Sequence, residues 1–331
     1  MKRRVTITDV ADAAGVSVAT VSKVINARYG VAAATSSRVQ EVIEQLGYES
    51  SLVARSMRSH RTHVIGILVA EFEPFSAEIL KGAASALLET DYELLAYTGA
   101  RQSGGAGWEQ RYLSRLSGTL IDGALVVTPT VVEPDTDIPV VTIDPHTGPV
   151  GIPTVDSDSY TGALLATRHL TGLGHRRIGF LTGRPDLASS ALREAGYVEA
   201  LREVGVRVDP ALVRTGDYRT DGAHQPATEL LTMADRPTAI FAANDLSAIG
   251  VMDVARDLGI DVPGDLSVVG FDDIPESTAT TPPLTTVHQP IQQMGATAVR
   301  LLVGLLSGTP AEQTHVTLPT SLVVRGTTRA V

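Results

Sequence analysis

Small and polar side chains with the spacing of a DNA-reading helix lie near the start of the chain. They follow a turn at Gly15, and they are Ala19, Thr20, Ser22, Lys23 and Asn26. A helix with such a face fits the major groove of double-stranded DNA, where hydroxyl, amide and ammonium groups bond to base edges. The chemistry expected here is non-covalent readout of bases. The same spacing also occurs in ordinary helical hairpins.

Two short helices joined by a turn would position these side chains. Thr6 and Asp9 have the spacing of a capping box at the start of the first helix. Gly15 can adopt a positive φ without strain and end that helix, and Ser17 can cap the second. Apolar residues at helical spacing would hold the helices together: Ile7, Val10, Ala11 and Ala14 in the first, and Val18, Val21 and Ile25 in the second.

A third helix over residues 33–46 would complete a three-helix headpiece. Ala32 before it offers no capping oxygen, an omission that costs about 1 kcal/mol. Gly47 follows it as a stop signal. Its apolar stripe consists of Val39, Val42, Ile43 and Leu46. Residues 51–63 then form a polar linker with an amphipathic segment that is too short to be stable as an isolated helix.

Charge is divided unevenly along the chain. Residues 1–61 hold nine Lys or Arg and five Asp or Glu, whereas the remainder holds 18 basic and 32 acidic residues. A basic head on an acidic body confines phosphate binding to the head and makes it salt-sensitive. The chain has no cysteine, no signal peptide after the basic start and no apolar run long enough to span a bilayer. We therefore expect a cytoplasmic protein without a membrane partner.

From residue 64 onward, apolar strands alternate with helices. Strands are predicted at 64–70, 93–97, 123–128, 139–144, 177–183, 238–244 and 266–272, and helices at 79–88, 110–116, 163–173, 192–204 and 246–258. Strands that are apolar on both faces indicate doubly wound parallel sheets. Two such halves predict two lobes with a cleft between them.

The residues at 6–26, together with VARSMR at 53–58 and the later runs NDLSAIG, PGDLSVVGFDD and PPLTTVHQP, closely resemble the LacI/GalR family of bacterial transcription regulators. The resemblance covers nearly the whole chain. It implies an all-α helix-turn-helix headpiece at 1–49, a hinge helix or linker at 50–62 and an α/β two-lobed, periplasmic-binding-protein-like core at 63–331. The N-lobe would span about 63–160 and 288–319, and the C-lobe about 161–287 and 320–331.

This resemblance implies a repressor of carbohydrate-utilisation genes that binds a palindromic operator as a homodimer. Met57 stands where the family usually has a Leu that wedges the minor groove, and Ser50 stands where a Pro is common, so the hinge would be looser. The residues expected to contact DNA are Thr6, Ser17, Val18, Ala19, Thr20, Ser22, Lys23, Asn26, Arg28, Tyr29 and Met57.

The residues expected to bind an effector follow the predicted strands or open the next helix, where open α/β sheets bind ligands. They are Phe75, Asp144, Arg193, Tyr218, Asn244 and Asp272. Carboxylates, an amide, an Arg fork and aromatic faces suit a neutral sugar or oligosaccharide. Each residue could instead cap a loop or carry a surface charge. For Asp245 and Asp273 a structural role is favoured.

Catalysis and cofactor binding have little support in the sequence. There is no GxGxxG after a strand, no phosphate-binding loop, no HExxH and no GxSxG, and the eight histidines are scattered. We therefore expect no enzyme activity, no cofactor and no metal. Two alternatives remain: a sugar-binding receptor without DNA function, and an enzyme with an α/β core. The presence of a basic head and the absence of a signal peptide disfavour the receptor. The absence of catalytic motifs disfavours the enzyme.

Overall fold

The chain folds as a helical unit followed by an α/β unit. The computed structural model describes residues 5–25, 29–48, 61–99, 107–130, 135–148, 151–309 and 313–331. It divides the chain into Met1–Thr62 and His63–Val331. The predicted fold class is confirmed. Among the described residues, no helix combines the length and apolar character that crossing a membrane requires.

The helical unit contains α1 (Ile7–Ala14), α2 (Val18–Ile25) and α3 (Ala33–Leu46). The predicted capping box is present, because Thr6 N donates to Asp9 Oδ2 at 2.8 Å while Asp9 N donates to Thr6 Oγ1 at 3.3 Å. Gly15 ends α1 with a φ of 63°. Ser17 Oγ accepts a hydrogen bond from Thr20 N at 3.1 Å at the start of α2. The sequence therefore predicted the start and end of α1 and the start of α2 correctly.

The headpiece core is small, and two predicted core positions are wrong. Its buried residues are Val10, Ala11, Ala14, Val21 and Val39. Val18 was expected to pack against α1, but its side chain is 40% exposed, and Val24 packs against the core instead. Leu46 was expected in the stripe of α3 but is exposed in the last turn. In both helices the side that faces the core is narrower than the sequence pattern predicts.

The first lobe of the α/β unit contains one six-stranded parallel sheet. Its strands are β1 (Val64–Val69), β2 (Glu93–Thr98), β3 (Gly123–Val127), β4 (Val140–Ile143), β5 (Thr154–Ser157) and β11 (His315–Leu318), in the order β11-β5-β4-β3-β1-β2. Its helices are α4 (Pro74–Leu87), α5 (Trp108–Leu116) and α11 (Ile291–Leu306). The backbones of α4 and α11 approach closely, since a Cβ on Gly82 would lie 1.8 Å from the Gln292 carbonyl oxygen.

The second lobe repeats this arrangement. Its strands are β6 (Ile178–Thr182), β7 (Val213–Thr215), β8 (Ala239–Ala242), β9 (Ser267–Asp272), β10 (Thr285–His288) and β12 (Ser321–Val323), in the order β12-β10-β9-β8-β6-β7. Only the β10–β12 pair is antiparallel within the described sheets. The helices are α6 (Ser159–Gly172), α7 (Ala188–Glu203), α8 (Thr220–Leu231), α9 (Asp245–Asp257) and α10 (Pro275–Ala279), and a 3-10 turn spans Pro210–Leu212.

The chain passes between the two lobes three times. It crosses after β5, after β10 and between β11 and β12, because each of these strands is followed by an element of the other lobe. The carboxyl ends of the central strands of both sheets therefore border one cleft. This cleft is where the sequence predicts an effector.

Candidate functional site

A cavity of about 400 Å³ lies in the cleft between the lobes. Its size falls in the range of small-molecule sites. All six residues predicted to bind an effector line it: Phe75, Asp144, Arg193, Tyr218, Asn244 and Asp272. The structure thus brings together side chains that are far apart in the sequence. Their role in binding stays a prediction.

Backbone strain is concentrated around this cavity. Among the described residues, seven that are not glycine have a positive φ, and five of these line the cavity: Thr128, Asp144, Asp217, Tyr218 and Asp272. Such conformations cost on the order of 1–3 kcal/mol each, and they persist where the surrounding structure enforces them. Strain collected at one place is typical of a ligand site.

Arg193 is the buried cation of the cavity. It lies on α7, where Nε donates to Ser159 Oγ at 3.3 Å and Nη1 donates to the Ala243 carbonyl. Nη1 also lies 3.7 Å from Asp272 Oδ1. The guanidinium carbon is 3.8 Å from the ring centroid of Phe271, which holds the plane of the group. Arg193 is therefore fixed before any ligand arrives, with a planar fork suited to hydroxyl or carboxyl oxygens.

Asp272 is the buried carboxyl opposite Arg193. It ends β9 with a φ of 120°, and Gln289 Nε2 donates to its Oδ1 at 2.6 Å. Burial raises the pKa of Asp272 to about 7, although the charge of Arg193 opposes this rise. Near neutral pH the carboxyl therefore exists in both forms. It can accept hydrogen bonds from a ligand hydroxyl or donate one to it.

Asn244 combines a structural role with its place in the cavity. It is the N-cap of α9, where its Oδ1 accepts from Ser247 N at 2.9 Å. Its Nδ2 donates to the Tyr218 carbonyl at 3.0 Å and so holds the loop after β7. These two bonds leave one amide hydrogen for a ligand. Asn244 thus fits both the cap interpretation and the binding interpretation.

Tyr218 contributes an aromatic wall and a buried hydroxyl. Its ring packs over Gly183, where a Cβ would lie only 1.9 Å from the ring Cζ. The Arg193 guanidinium carbon is 5.6 Å from its ring centroid. The Tyr218 hydroxyl is buried, and the Ser190 side chain is its weak neighbouring partner. Because Tyr218 lines the cavity, its hydroxyl can also exchange hydrogen bonds with a ligand.

Asp144 and Phe75 belong to the opposite wall. Asp144 follows β4 with a φ of 47°, and its Oδ2 accepts from Ser189 Oγ of the other lobe at 3.2 Å. Burial raises the pKa of Asp144, with the charge of Arg193 opposing the rise. Phe75 lies in the first turn of α4, whose N-cap Glu73 accepts from Phe75 N at 2.6 Å. Burial likewise raises the pKa of Glu73.

Several contacts join the two lobes across the mouth of the cleft. His146 Nδ1 lies 3.1 Å from Asp186 Oδ2, and Ala188 N donates to the His146 carbonyl at 2.8 Å. Arg219 Nη1 donates to Glu71 Oε2 at 3.0 Å. The two lobes are therefore in direct contact beside the cavity.

The sequence did not predict several residues that line the cavity, among them Glu73, His146, Ser189, Arg219 and Gln289. Two signals were available. Glu73 lies in the loop after β1, and Gln289 ends the run PPLTTVHQ. By contrast, the structural roles favoured for two acidic residues are present. Asp245 accepts from Ile274 N at 3.0 Å, and Asp273 pairs with Arg325.

The second helix of the headpiece presents a small, polar face to solvent. Val18, Ala19 and Lys23 are exposed on α2, and Thr20 and Ser22 are half-buried. Tyr29, after the helix, is fully exposed. Asn26, Arg28 and Met57, which the sequence also predicts to contact DNA, lie outside the described residues.

Two predicted DNA contacts already make hydrogen bonds within the headpiece. The Thr6 hydroxyl donates to Asp9 Oδ2 at 2.7 Å, so its proton is committed to the capping box. The Ser17 hydroxyl accepts from Thr20 N and also lies 2.9 Å from the Thr20 hydroxyl. Phosphate contacts from Thr6 would therefore compete with helix capping. Those from Ser17 would share its oxygen with the cap.

Comparison with known proteins gives the same division of the chain. Residues 6–51 match "Bacterial regulatory proteins, lacI family", and residues 167–328 match "Periplasmic binding protein-like domain". The HTH-type transcriptional repressor PurR of Aliivibrio salmonicida (strain LFI1238) is 37% identical over 311 residues, which are 90% of this chain and 91% of that protein. The chain belongs to the LacI family.

Two solved structures of LacI-family regulators cover almost all of the chain. The lac repressor dimer bound to operator and the anti-inducer ONPF has a TM-score of 0.86 at 29% identity, over 99% of this chain and 100% of that one. The complex of the transcriptional regulator CelR with cellobiose has a TM-score of 0.73 at 34% identity, over 98% and 100%. This LacI-family protein is thus a DNA-binding transcription regulator with a ligand-binding core.

Among the described residues of this LacI-family chain, no group of three or more His, Asp or Glu side chains is placed to hold a metal ion. The buried charged side chains of the cavity contact each other, an amide and hydroxyl groups, since Arg193 lies beside Asp272, Gln289 donates to Asp272, and Ser189 donates to Asp144. Such a set is suited to organic ligands.

Proposed function

We propose that this LacI-family protein is a dimeric repressor of carbohydrate-utilisation genes, controlled by a small sugar in the interlobe cavity. It needs no cofactor, performs no catalysis and acts in the cytoplasm, where its operator lies. The observation that carries the proposal is the buried Arg193–Asp272 pair in a cavity that also contains Asp144, Asn244 and the Tyr218 hydroxyl. A fixed guanidinium, carboxyls, an amide and a phenol provide both donors and acceptors for neighbouring sugar hydroxyls.

DNA recognition is assigned to the exposed face of α2. Lys23 can donate to guanine, while Val18 and Ala19 can contact a thymine methyl group. Thr20, Ser22, Asn26, Arg28 and Tyr29 would add contacts to bases or phosphates, and Met57 would enter the minor groove. Because the acidic core repels DNA, these contacts must provide the affinity.

The proposed palindromic operator requires a homodimer. A two-fold operator requires an isologous interface between two copies. We assign this interface to the outward faces of α4 and α9. The apolar residues on the inner faces of these helices already pack in the core of their own lobe, so only the outward faces remain available to a second copy. The homodimer would place two headpieces on two half-sites.

The switch is lobe closure. A sugar that touches Asp144 and Phe75 on one lobe, and Arg193 and Asp272 on the other, favours the closed orientation because it gains both sets of contacts only there. The linker at 50–62 joins the headpiece directly to β1, so a changed lobe orientation alters how the two linkers can pair on DNA. Coupling of about 1–3 kcal/mol gives 5- to 150-fold regulation, and it must be reciprocal between sugar and operator.

The test uses operator DNA and a sugar titration. Genomic fragments retained by the protein are sequenced, and the palindrome found is used in a fluorescence-anisotropy assay. Wild type should bind it and be released by sugar, whereas Asp272→Ala should bind it and no longer respond. Asp235→Ala, which removes an exposed carboxyl after α8, outside the cavity and away from α4 and α9, is the matched control. Release of Asp272→Ala at the wild-type sugar concentration would show that the assignment of the cavity is wrong.

A further inference from the structure

A second cavity adjoins the one already described. It has a volume of about 450 Å³ and shares four lining residues with the first: Ala70, Glu71, Glu73 and Arg219. The two cavities are therefore contiguous, and the Glu71–Arg219 ion pair lies in the boundary between them. Nothing in the proposed function requires this second space.

Three of the nine residues that line the second cavity are aromatic. Tyr97, at the end of β2, packs on Tyr112 of α5 with ring centroids 4.6 Å apart. Tyr112 is buried and also contacts Trp108, so the ring of Tyr97 is supported from behind. Gly99 allows the close packing, because a Cβ there would lie 2.1 Å from the Tyr112 ring. Phe72, which is 56% exposed, borders the same space.

Polar groups accompany these rings. The Thr98 hydroxyl donates to the Ala70 carbonyl at 2.8 Å, which leaves its oxygen able to accept. Glu71 and Arg219 supply a carboxylate and a guanidinium. Rings beside convergent hydrogen-bonding groups suit a sugar ring, whose C–H face is apolar and whose edge carries hydroxyls.

The ion pair at the boundary can yield to a ligand. The side chains of Arg219 and Glu71 are 53% and 58% exposed, and exposed pairs of this kind contribute little to stability. Arg219 also keeps a second partner, because its Nε lies 3.2 Å from Asp221 Oδ1. Parting the Glu71–Arg219 pair would join the two cavities while leaving Arg219 paired.

We propose that the second cavity is a further sugar subsite, so that the effector is a disaccharide or longer oligosaccharide whose second ring lies against Tyr97 and Phe72. The proposal rests on the proposed function, since the first ring occupies the cavity that contains Arg193 and Asp272. The Glu71–Arg219 pair then marks the position of the glycosidic linkage. A single sugar would leave the second subsite empty and would therefore bind less tightly than a disaccharide.

Isothermal titration of the full-length protein with cellobiose, xylobiose and maltose, and with the monomers glucose and xylose, tests the proposal. At least one disaccharide should bind roughly tenfold or more tightly than its own monomer. Phe72→Ala and Tyr97→Leu should remove most of that gain and leave monomer affinity within about twofold. Leu88→Ala, an exposed apolar truncation outside both cavities, should change neither.

The outcomes separate the subsite from the function. If monomers bind as tightly as disaccharides and release operator, the second subsite is wrong and the sugar-controlled repressor stands. If Phe72→Ala and Tyr97→Leu weaken monomer and disaccharide equally, these rings belong to the first subsite and the proposal is again wrong. If no sugar of the panel binds, the sugar effector itself is wrong and the second subsite falls with it.

Discussion

Replacing Asp272 by Asn should stabilise the core and abolish control by sugar. The side chain of Asp272 is almost fully buried, and burial raises its pKa from 3.8 to about 7. A carboxyl whose pKa is raised by folding contributes stability below its unfolded pKa, and that contribution is lost as the pH rises through the folded pKa. Wild type should therefore lose stability between pH 5 and pH 8 through this one group.

The size of the effect follows from the two pKa values. At 1.36 kcal/mol per pKa unit, the raised pKa of Asp272 costs the fold about 4 kcal/mol at pH 8, where the buried carboxyl is ionised, and about 2 kcal/mol at pH 5, where folding must protonate it. Asn keeps an oxygen that can accept from Gln289 but has no charge to bury. Arg193 is not left unsatisfied, because the Ala243 carbonyl and Ser159 still accept its hydrogen bonds. The charge of Asp272 also raises the pKa of buried Asp245, so its removal favours the fold there too.

Urea unfolding of the core at several pH values measures the effect. The free energy of unfolding of Asp272→Asn should exceed that of wild type at both ends of the range, and by about 2 to 3 kcal/mol more at pH 8 than at pH 5. Asp235→Asn, at an exposed position of the same lobe away from α9, controls for the change from carboxyl to amide. Parallel curves for wild type and Asp272→Asn would refute the reasoning, since they would mean that folding does not perturb this carboxyl.

Three further predictions concern DNA and assembly. Lys23→Ala should weaken operator binding by roughly 1–3 kcal/mol and relax the preference at one base pair per half-site. Arg38→Ala, which removes an exposed cation on α3, is the control. Equal loss of affinity for operator and for random duplex would show that Lys23 contacts phosphate only. Met57→Ala should weaken operator binding and reduce DNA bending, measured by gel mobility, with sugar affinity intact; an unchanged bend with unchanged affinity would exclude a wedge. Sedimentation equilibrium should give a dimer, because a two-fold operator requires an isologous interface between two copies. A tetramer at micromolar concentration would contradict this.

Local signals in the sequence predicted most of the fold. The capping residues of α1 and α2, the stop glycines and the apolar strands act over a few residues, so they can be recognised without the tertiary structure. Helices α8, α10 and α11 were not predicted, and neither were the short strands β5, β7, β10, β11 and β12. Pro226 interrupts the pattern of α8. The buried positions of α11 do recur at helical spacing, so that helix could have been recognised: Ile291, Met294, Gly295, Ala298, Val299 and Leu302. Residues at strand ends were predicted for the cavity because the fold class places them there.

The contacts across the cleft could not be predicted in this way. Arg219 and Glu71 are 148 residues apart, and Ser189 and Asp144 are 45 apart. No local pattern marks either pair, because each depends on the relative position of two separately folded lobes. The second cavity is similar, since Tyr97 reads as an ordinary strand residue until α5 is packed behind it. Sequence reasoning therefore found the residues around the first cavity and missed the neighbouring space.

The three lobe crossings give a route from a ligand at Asp272 to a change of lobe orientation. Gln289, on the crossing after β10, donates to Asp272 and also accepts from Ser157 at the end of β5. Thr320, on the crossing between β11 and β12, donates to the Asp158 carbonyl at 3.0 Å. All three crossings are thus joined by hydrogen bonds, and one of these bonds ends on the carboxyl that the effector is proposed to contact. A ligand that draws Asp272 toward itself must either break the bond from Gln289 or shift the crossing with it. Because the crossings define the axis about which the lobes can rotate, the second response turns a local contact into a change of lobe orientation.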